Sequence, residues 1–389
     1  MNQGKYVFSQ FIELLSTTSF RTCVNRYNGN YKVTTLTCWQ QFLHMLFGQF
    51  THRESLRDTM LCLTVNADKL YHLGIGKVVS LSTLSRANEN RDWRIYADYA
   101  KILIEQAKRL YIYDQGEIEL KQQVFAIDAT TIDLCLSVFS WAKFRSTKAA
   151  VKIHAQLDLK TAIPEFIEIT TGSVHELNVL DLITYQPDSF YVFDRGYTDF
   201  KRLFHIHNSD AFFIIRARDR LCFRRIKSRP VERNSGLICD QTVKLTNFYP
   251  ASFYPQLLRR IKYYDSENNL TLVFLTNNFS LKAIEIATLY KHRWKIELFF
   301  KWIKQHLKIK SFWGTTENAV KTQIWIAISS YVIVAIAKKT LNIEHSLYEI
   351  LQVASVSIFD KTPLNKLFDK NNQFYETEGS SPNQLSIFE

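Results

Sequence analysis

The chain has 389 residues, enough for about two or three domains. Hydrophobic residues make up 46% and charged residues 22%, which is typical of a folded globular protein and excludes a disordered or collagen-like chain. The formal net charge of +12 indicates a polyanionic partner, either nucleic acid or an anionic membrane surface. The most apolar stretch, 324–337, is shorter than the roughly 20 residues that a membrane span needs, so we expect no membrane partner.

The excess positive charge lies in one part of the sequence. Residues 194–310 contain 23 Lys or Arg and 10 Asp or Glu, whereas the rest of the chain contains 26 and 27. The densest run, 216–233, includes Arg224 and Arg225 and has aromatic residues on either side. A solvated loop and a phosphate-binding surface both fit a single charge run. Confinement of the whole excess to one region favours phosphate binding, so Arg224 and Arg225 are predicted to contact DNA.

The first part of the chain has a helical pattern. Apolar residues recur at helical spacing in 36–50 and 54–63. Segment 80–92 is typical of the start of a DNA-recognition helix, with Ser82 as its N-cap, although many surface helices look the same. The polar residues expected to face outward there are Arg86, Asn88 and Arg91.

From about residue 120 the pattern changes to strands that alternate with helices, which predicts a mixed α/β fold. Segments 124–134, 149–159 and 165–172 are predicted to form a three-stranded antiparallel meander. The polar tail after Asp369 is predicted to be disordered. Further strands are predicted at 189–194, 211–217 and 270–276, and helices at 199–207, 280–307 and 322–340.

Two acidic residues are predicted to end apolar strands. Asp128 follows VFAI and Asp194 follows FYVF. A carboxylate in a buried strand is unfavourable unless it is paired or binds a cation. Either residue alone is more simply a strand terminator, but two in one α/β region make a metal-binding role equally plausible.

A third carboxylate lies in the helical region near 290. Tyr290, Arg293, Glu297 and Lys304 would fall within about 60° of arc on one continuous helix. A solvated face with an Arg293–Glu297 pair is the alternative. Two Asp and one Glu are hard oxygen ligands that suit Mg²⁺. A pair of such ions activates the attacking oxygen and stabilises the leaving oxygen in phosphodiester cleavage.

These residues resemble a known family. The order Asp128, Asp194, Glu297, the spacing Y-x2-R-x3-E-x6-K and the DRGY at 194–197 resemble the DDE transposases of the bacterial insertion-sequence family four, over residues 120–340. The resemblance implies a ribonuclease-H-like catalytic core with a β-rich insertion domain, preceded by a helical N-terminal DNA-binding domain. By position, the three acidic residues would be catalytic and would hold two Mg²⁺ ions, for which Mn²⁺ could substitute.

The resemblance also implies further roles and boundaries. Tyr290, Arg293 and Lys304 would grip phosphates near the transposon end, and Trp294 would lie beside an unstacked terminal base. No Trp occurs between Trp141 and Trp294, so in a hairpin route Phe248, Tyr249 or Phe253 would have to replace the tryptophan that holds a flipped base in some relatives. The implied regions are 1–115 (helical, DNA-binding), 120–217 (first part of the core), 218–268 (basic β-rich insertion), 269–345 (second part, with the signature helix) and 346–389 (C-terminal helix and disordered tail).

The function implied is a transposase that binds terminal inverted repeats of double-stranded DNA and performs metal-dependent strand cleavage and strand transfer by a cut-and-paste route. It would act as a homodimer in a paired-end complex, in the cytoplasm at the nucleoid. Two alternatives stay open: a structure-specific, metal-dependent endonuclease on the same core, and a non-catalytic DNA-binding derivative.

Overall fold

The computed structural model describes residues 4–114, 116–219, 221–306 and 312–369. The chain divides into two compact units. The first comprises Met1–Leu110, Ser311–Gly314 and Thr322–Glu389, and the second comprises Tyr111–Lys310 and Thr315–Lys321. The tail that was predicted to be disordered, after Asp369, lies outside the described residues.

The described part of the first unit is helical, as predicted. Hydroxyl side chains cap five helices in the described part of this unit, because Ser16, Thr37, Ser55, Ser80 and Ser346 each accept a hydrogen bond from a backbone N–H of the first turn. The helices that lie wholly or mostly in this unit are α1 (Val7–Glu13), α2 (Thr17–Arg26), α3 (Cys38–Phe50), α4 (Leu56–Val65), α5 (Leu81–Asn90), α6 (Arg94–Tyr111), α12 (Glu317–Thr340), α13 (Leu347–Ser357) and α14 (Leu364–Asp369).

Helix α5 corrects three details of the predicted recognition helix. Its N-cap is Ser80 and not Ser82. Asn88 is 2% exposed and its side-chain oxygen accepts a hydrogen bond from Gln41 at 2.7 Å. Arg91 donates to the same Gln41 side chain at 2.9 Å. Residues 84, 87 and 88 share one helix face and are buried, so of the three residues expected to face outward only Arg86 does.

Helix α12 is the predicted apolar core helix. Its 24 residues are long and apolar enough to cross a membrane, but 94% of its most apolar window is buried inside the fold. The hydroxyls of Ser329 and Ser330 donate to the carbonyl oxygens four residues earlier, so neither is left unsatisfied. Burial against the rest of the chain is what a core helix requires.

Among the described residues, the second unit is built on a ten-stranded sheet with the order β2-β3-β1-β5-β6-β10-β9-β8-β7 and with β4 paired to β3. The predicted antiparallel meander is confirmed, and β1, β3 and β4 are its strands. The strands are β1 (Val124–Leu134), β2 (Lys143–Arg145), β3 (Lys148–Asp158), β4 (Pro164–Thr171), β5 (Phe190–Phe193), β6 (Phe212–Arg216), β7 (Phe223–Arg229), β8 (Leu237–Leu245), β9 (Leu258–Asp265) and β10 (Leu270–Thr276).

The basic stretch 218–268 continues this sheet. It contributes β7, β8 and β9, which pair in sequence with one another and, through β9, with β10 of the core. Strand β7 is the edge strand at this end of the path. The second unit therefore contains the predicted insertion and the first part of the predicted core, whereas residues 322–345 of the second part belong to the first unit.

Helices cover both faces of the sheet. They are α7 (Glu176–Val179), α8 (Phe200–Asn208), α9 (Phe248–Phe253), α10 (Ala283–Lys291) and α11 (Trp294–His306). On one face, Phe125 and Ile127 belong to the same buried cluster as Leu203 of α8. On the other, the rings of Phe274 and Tyr290 of α10 lie 4.6 Å apart. Because successive side chains alternate, the residue after Ile127 points toward the α10–α11 side.

Candidate active site

The two predicted aspartates are brought together by the pairing of two parallel strands. Ile127 of β1 pairs with Phe193 of β5, so the next residue on each strand is Asp128 and Asp194. Strand β5 ends at Phe193, whereas β1 continues to Leu134. The prediction that a strand ends at Asp128 is therefore wrong, because Asp128 is the fifth of 11 residues in β1. The neighbouring strand β5 ends at this level, so Asp128 lies beside the C-terminal end of β5.

Asp128 is largely buried and lies among other charges. One carboxylate oxygen accepts a hydrogen bond from the N–H of Ala129 at 2.8 Å, and the other accepts one from the Arg293 guanidinium at 3.3 Å. Burial raises the pKa of Asp128 to about 6, and the carboxylates of Glu297 and Asp194 add to the increase while Arg293 opposes it. The raised pKa reflects the cost of holding this carboxylate charged away from water, and a cation bound beside it would offset that cost.

The helical region around 290 is not one helix, contrary to prediction. Helix α10 ends at Lys291 and α11 begins at Trp294. Between them, the N–H groups of Arg293 and Ile296 bond to carbonyl oxygens three residues earlier, which tightens the chain into a turn. A single helical projection from 290 to 304 does not apply, and Tyr290 lies on α10, 7% exposed and packed on the sheet.

Arg293 links the two elements that carry the carboxylates. Its guanidinium lies 3.3 Å from Asp128 of β1 and 2.5 Å from Glu297 of α11. The side chain is 15% exposed, and its Nε has no hydrogen-bond partner among the described residues. The guanidinium carbon is 5.7 Å from the centre of the Tyr290 ring, so Tyr290 stays near the site in spite of the break.

Helix α11 runs alongside β1. The Lys304 ammonium donates to the carbonyl oxygen of Thr131 at 2.9 Å. From Glu297 to Lys304 the helix rises about 10.5 Å, and from Asp128 to Thr131 the strand advances about 10 Å. Because the two distances are nearly equal and Lys304 contacts Thr131, Glu297 lies at the same level as Asp128. Trp294, at the start of the helix, is 49% exposed.

The donor set suits a divalent cation in kind, because all three carboxylates provide hard oxygen ligands. In the geometry shown, however, Arg293 lies against both Asp128 and Glu297. No group of three or more His, Cys, Asp or Glu side chains within the described ranges is close enough to hold an ion. Asp128 and Glu297 would be the residues that hold an ion here, and the guanidinium that now contacts both would then need another partner.

The structure separates the two arginines of the basic stretch. Arg224 and Arg225 are both exposed on β7, but successive residues of a strand point to opposite faces. Arg224 pairs with Lys244, and Arg225 pairs with the fully buried Val243. On nearby α9, the predicted aromatic residues Phe248, Tyr249 and Phe253 are 80%, 68% and 45% exposed.

Sequence reasoning missed Tyr197. This residue is three positions after Asp194, is 3% exposed, and has a hydroxyl with no hydrogen-bond partner among the described residues. The short DRGY sequence is the signal that was available, because a tyrosine fixed one turn after a site aspartate must lie close to it.

The region of the chain that contains the site matches a known protein family. The family model described as "Transposase DDE domain" matches residues 119–333, more than half of the chain and the whole region of the site. The chain belongs to this transposase family. Membership bears out the ribonuclease-H-like core, implies dependence on divalent metal ions, and makes DNA the substrate of the transposase. A second model, described as a domain of unknown function, matches residues 3–76.

Three relatives of this transposase are themselves named as transposases. A Sinorhizobium fredii protein, y4zB, is 29% identical over 78% of this chain and 85% of its own length. The protein named for insertion sequence element IS5377 of Geobacillus stearothermophilus is 27% identical over 65% of this chain and 66% of its own. The one named for element IS4SA of Synechocystis is 24% identical, with coverages of 66% and 72%.

Proposed function

We propose that this transposase binds the terminal inverted repeats of its own insertion sequence and moves it by cut-and-paste DNA cleavage and strand transfer. The observation that carries the proposal is the pairing of Ile127 with Phe193, which sets Asp128 and Asp194 side by side. Glu297 reaches the same place through Arg293. Asp128 and Asp194 thus lie at the same level of two neighbouring strands, and Arg293 connects Asp128 to Glu297.

In this proposal Asp128, Asp194 and Glu297 are the catalytic residues and hold two Mg²⁺ ions. When bound, the ions activate the attacking oxygen and stabilise the leaving oxygen of the scissile phosphodiester. The carboxylates orient the ions, and burial of Asp128 keeps the surrounding dielectric low. Mn²⁺ has similar oxygen ligand preferences and serves as a substitute.

The remaining signature residues bind the DNA backbone and the terminal base. Arg293 would bind a phosphate in place of its carboxylate partners, because a guanidinium matches phosphate geometry well. Lys304 supplies a second positive charge from α11, two turns after Glu297, and Tyr290 lines the site from α10. Trp294 is exposed and provides a surface on which an unstacked base can pack.

The site assignment is tested with substrates that carry the DNA flanking the reading frame. Asp128→Asn, Asp194→Asn and Glu297→Gln should each reduce strand cleavage below detection while leaving binding to the DNA end unchanged. Asp133→Asn is the matched control, because Asp133 is on the same strand as Asp128, points to the other face and is exposed. Full activity in any one of the three site variants would refute the assignment.

The same assay separates the competing functions. A transposase joins the released 3′ end to a second DNA and prefers its own terminal sequences. A structure-specific endonuclease on this core would cut without joining and without preference for those sequences. A non-catalytic derivative would bind the ends and cut nothing in Mg²⁺ or Mn²⁺.

The proposed cellular setting follows from the substrate. Inverted repeats that immediately flank the reading frame, bordered by short direct duplications, are expected where this sequence lies in a genome. We propose that the transposase acts in the cytoplasm at the nucleoid, as a homodimer that holds two ends.

A further inference from the structure

Helix α2 of the first unit has an exposed face that consists of polar side chains only. Its buried residues are Phe20, Cys23 and Val24, which recur at helical spacing and fix one side of the helix to the core. The side chains on the exposed side carry hydroxyl, amide and guanidinium groups. They are Thr17, Thr18, Arg21, Thr22, Asn25 and Arg26.

The exposed face of α2 carries no negative charge. Residues 14–53 contain no Asp or Glu, although the whole chain contains 37. Arg26 pairs with Asp98 of α6, whereas Arg21 has no ion pair among the described residues. The exposed face of α5, by contrast, includes Glu89. A positive surface without acidic residues favours the approach of a polyanion.

Aromatic packing holds α2 in a fixed position in the first unit. The ring centre of Phe20 lies 4.9 Å from that of Trp39 on α3 and 4.9 Å from that of Tyr99 on α6. Just after the helix, the Tyr27 hydroxyl donates to the carboxylate of Asp98 at 2.9 Å. The exposed face is therefore presented by a helix that two neighbouring helices support.

The dimensions and side chains of α2 suit the major groove of DNA. Its ten residues span about 15 Å, and a major groove about 12 Å wide admits an α-helix. Arg21 and Asn25 are one turn apart, so they project from the same side. A guanidinium donates two hydrogen bonds to a guanine, and an amide side chain pairs with an adenine. The methyl groups of Thr18 and Thr22 can contact thymine.

The surface beside α2 is concave. A cleft of about 290 Å³ lies between α2 and the start of α3, and its walls include Arg21, Asn30, Thr37 and Trp39. Lys32 is exposed on the same loop as Asn30, between the two helices. A phosphate backbone borders each side of the major groove, and the cleft leaves room for one of them beside α2.

We propose that α2 lies in the major groove of the terminal inverted repeat, where Arg21 and Asn25 contact base edges. Lys32 contacts the phosphate backbone that borders the groove. The inference rests on the proposed function, because the terminal repeat is the DNA concerned. It assigns recognition of the DNA sequence to the first unit, whereas cleavage belongs to the carboxylates of the second.

Two other interpretations of this surface give different results. If α2 is an ordinary solvated helix, Arg21 and Asn25 contact only water, and their removal leaves DNA binding unchanged. If the segment predicted from the sequence, now α5, is the recognition helix, removal of its exposed Arg86 should weaken sequence preference instead. Changes of single side chains therefore separate the three interpretations.

The test measures DNA binding by the full-length chain in a buffer with EDTA, so that no strand is cut. Fluorescence anisotropy gives Kd for a duplex that carries the terminal repeat and for a duplex of the same composition with a scrambled sequence. Arg21→Ala and Asn25→Ala should each lower the ratio of the two affinities about tenfold, because each removes a base contact. Arg57→Ala is the matched control, since Arg57 is an exposed arginine of α4, and its ratio should equal that of the wild type.

Two further variants separate base contacts from phosphate contacts. Lys32→Gln should weaken binding to both duplexes alike and reduce the slope of log K against log salt by about 0.9. Arg21→Lys keeps the charge but loses the planar fork that pairs with guanine. Its affinity ratio should therefore fall while its salt slope stays that of the wild type. Both Arg21 and Asn25 are exposed and alanine favours helix, so neither alanine variant should have a lower Tm.

The outcomes distinguish failure of this inference from failure of the proposed function. If the wild type binds the two duplexes equally, recognition of the terminal repeat is refuted, and the role of α2 with it. If the wild type prefers the terminal repeat and either Arg21→Ala or Asn25→Ala keeps the full preference, the role of α2 alone is refuted. A loss of preference in Arg86→Ala with none in the α2 variants would assign recognition to α5.

Discussion

At Asp128, burial favours the protonated carboxyl, and this effect outweighs the opposing charge of Arg293. Its pKa is raised from 3.8 to about 6, so the folded protein binds a proton more tightly than the unfolded chain does. Stability therefore falls as the pH rises from about 4 to about 6, and it stays lower above that range. The site retains this carboxylate at a cost in stability, as is common where a residue is kept for function.

This cost predicts that Asp128→Asn stabilises the metal-free protein at high pH. With a shift of this size, the free energy of unfolding at pH 8 should increase by on the order of 3 kcal/mol. Near pH 3.5 the gain should vanish, because the carboxyl is then protonated in both states. Denaturant unfolding at the two pH values is the measurement, with the exposed Asp133→Asn as the control. A variant that is less stable than the wild type at pH 8 would contradict the assigned environment.

The candidate site residues could be selected from the sequence. Asp128 and Asp194 were selected because a carboxylate in a buried strand is unfavourable without a partner, and Glu297 was selected by its spacing from Tyr290, Arg293 and Lys304. The contacts around these residues could not be predicted from the sequence. The contacts of Arg293 with both Asp128 and Glu297 join positions 165 and 4 residues apart along the chain, and no local pattern encodes the longer of the two.

At the scale of elements, two of the three lysines of α11 differ in their surroundings. Lys304 reaches the Thr131 carbonyl on β1, two turns from Glu297, whereas Lys301 is exposed. We predict that Lys304→Ala lowers the single-turnover cleavage rate about a hundredfold, because it removes a fixed positive charge from the phosphate. Lys301→Ala is the control and should cleave at the wild-type rate.

Both lysine changes introduce a strong helix former, so circular dichroism should show the same helix content for each. Equal losses of cleavage in the two variants would show that general surface charge, and not the position of Lys304 beside β1, governs the rate.

Strand β7 separates its two arginines by face. Following the register from β1 to β7, Arg224 lies on the face of the sheet that carries Asp128, and Arg225 lies on the opposite one. Paired residues of neighbouring strands point to the same face, so the face of Asp128 can be followed from strand to strand. The residues that connect β1 to β7 on this face are Ala126, Val192, Ile214, Phe274, Ile261, Asp240 and Lys244.

We therefore expect Arg224→Gln, and not Arg225→Gln, to reduce the salt dependence of DNA-end binding. The slope of log K against log salt should fall by about 0.9 for the lost phosphate contact. Arg224 is about 29 Å across the sheet from β1, so cleavage of bound DNA should be unaffected. Binding isotherms at four or five salt concentrations give the slopes. Identical slopes for both variants and the wild type would place this edge outside the DNA interface.

Elements that depend on local alternation were predicted correctly, and those that depend on distant contacts were not. The meander of β1, β3 and β4 follows from period-two patterning between turns. The break at His292 and Arg293 was missed because residues 290–296 contain neither Pro nor Gly. Asn88 was predicted to face solvent, but it lies on the same buried face of α5 as Leu84 and Ala87.

At the scale of the whole molecule, the sheet order is the feature that no sequence pattern contained. Strand β10 joins β6, so the basic strands β7–β9 extend the same sheet beyond the core. The segment 218–268, which was predicted to be an insertion, is therefore part of the same sheet as β1 and β5. The net charge of +12, concentrated between residues 194 and 310, is thus carried largely by the unit that contains the site.

The last prediction concerns assembly on DNA. If two chains hold two transposon ends, a DNA fragment with one end should convert the free protein into a complex of two chains and two fragments, which mass photometry resolves. Mixing the wild type with Glu297→Gln should suppress release of double-cut DNA more strongly than it suppresses single nicks, because double release needs two active chains. Asp133→Asn in the same mixture should suppress neither product. A complex of one chain and one end, or equal suppression of both products, would show that each chain acts alone.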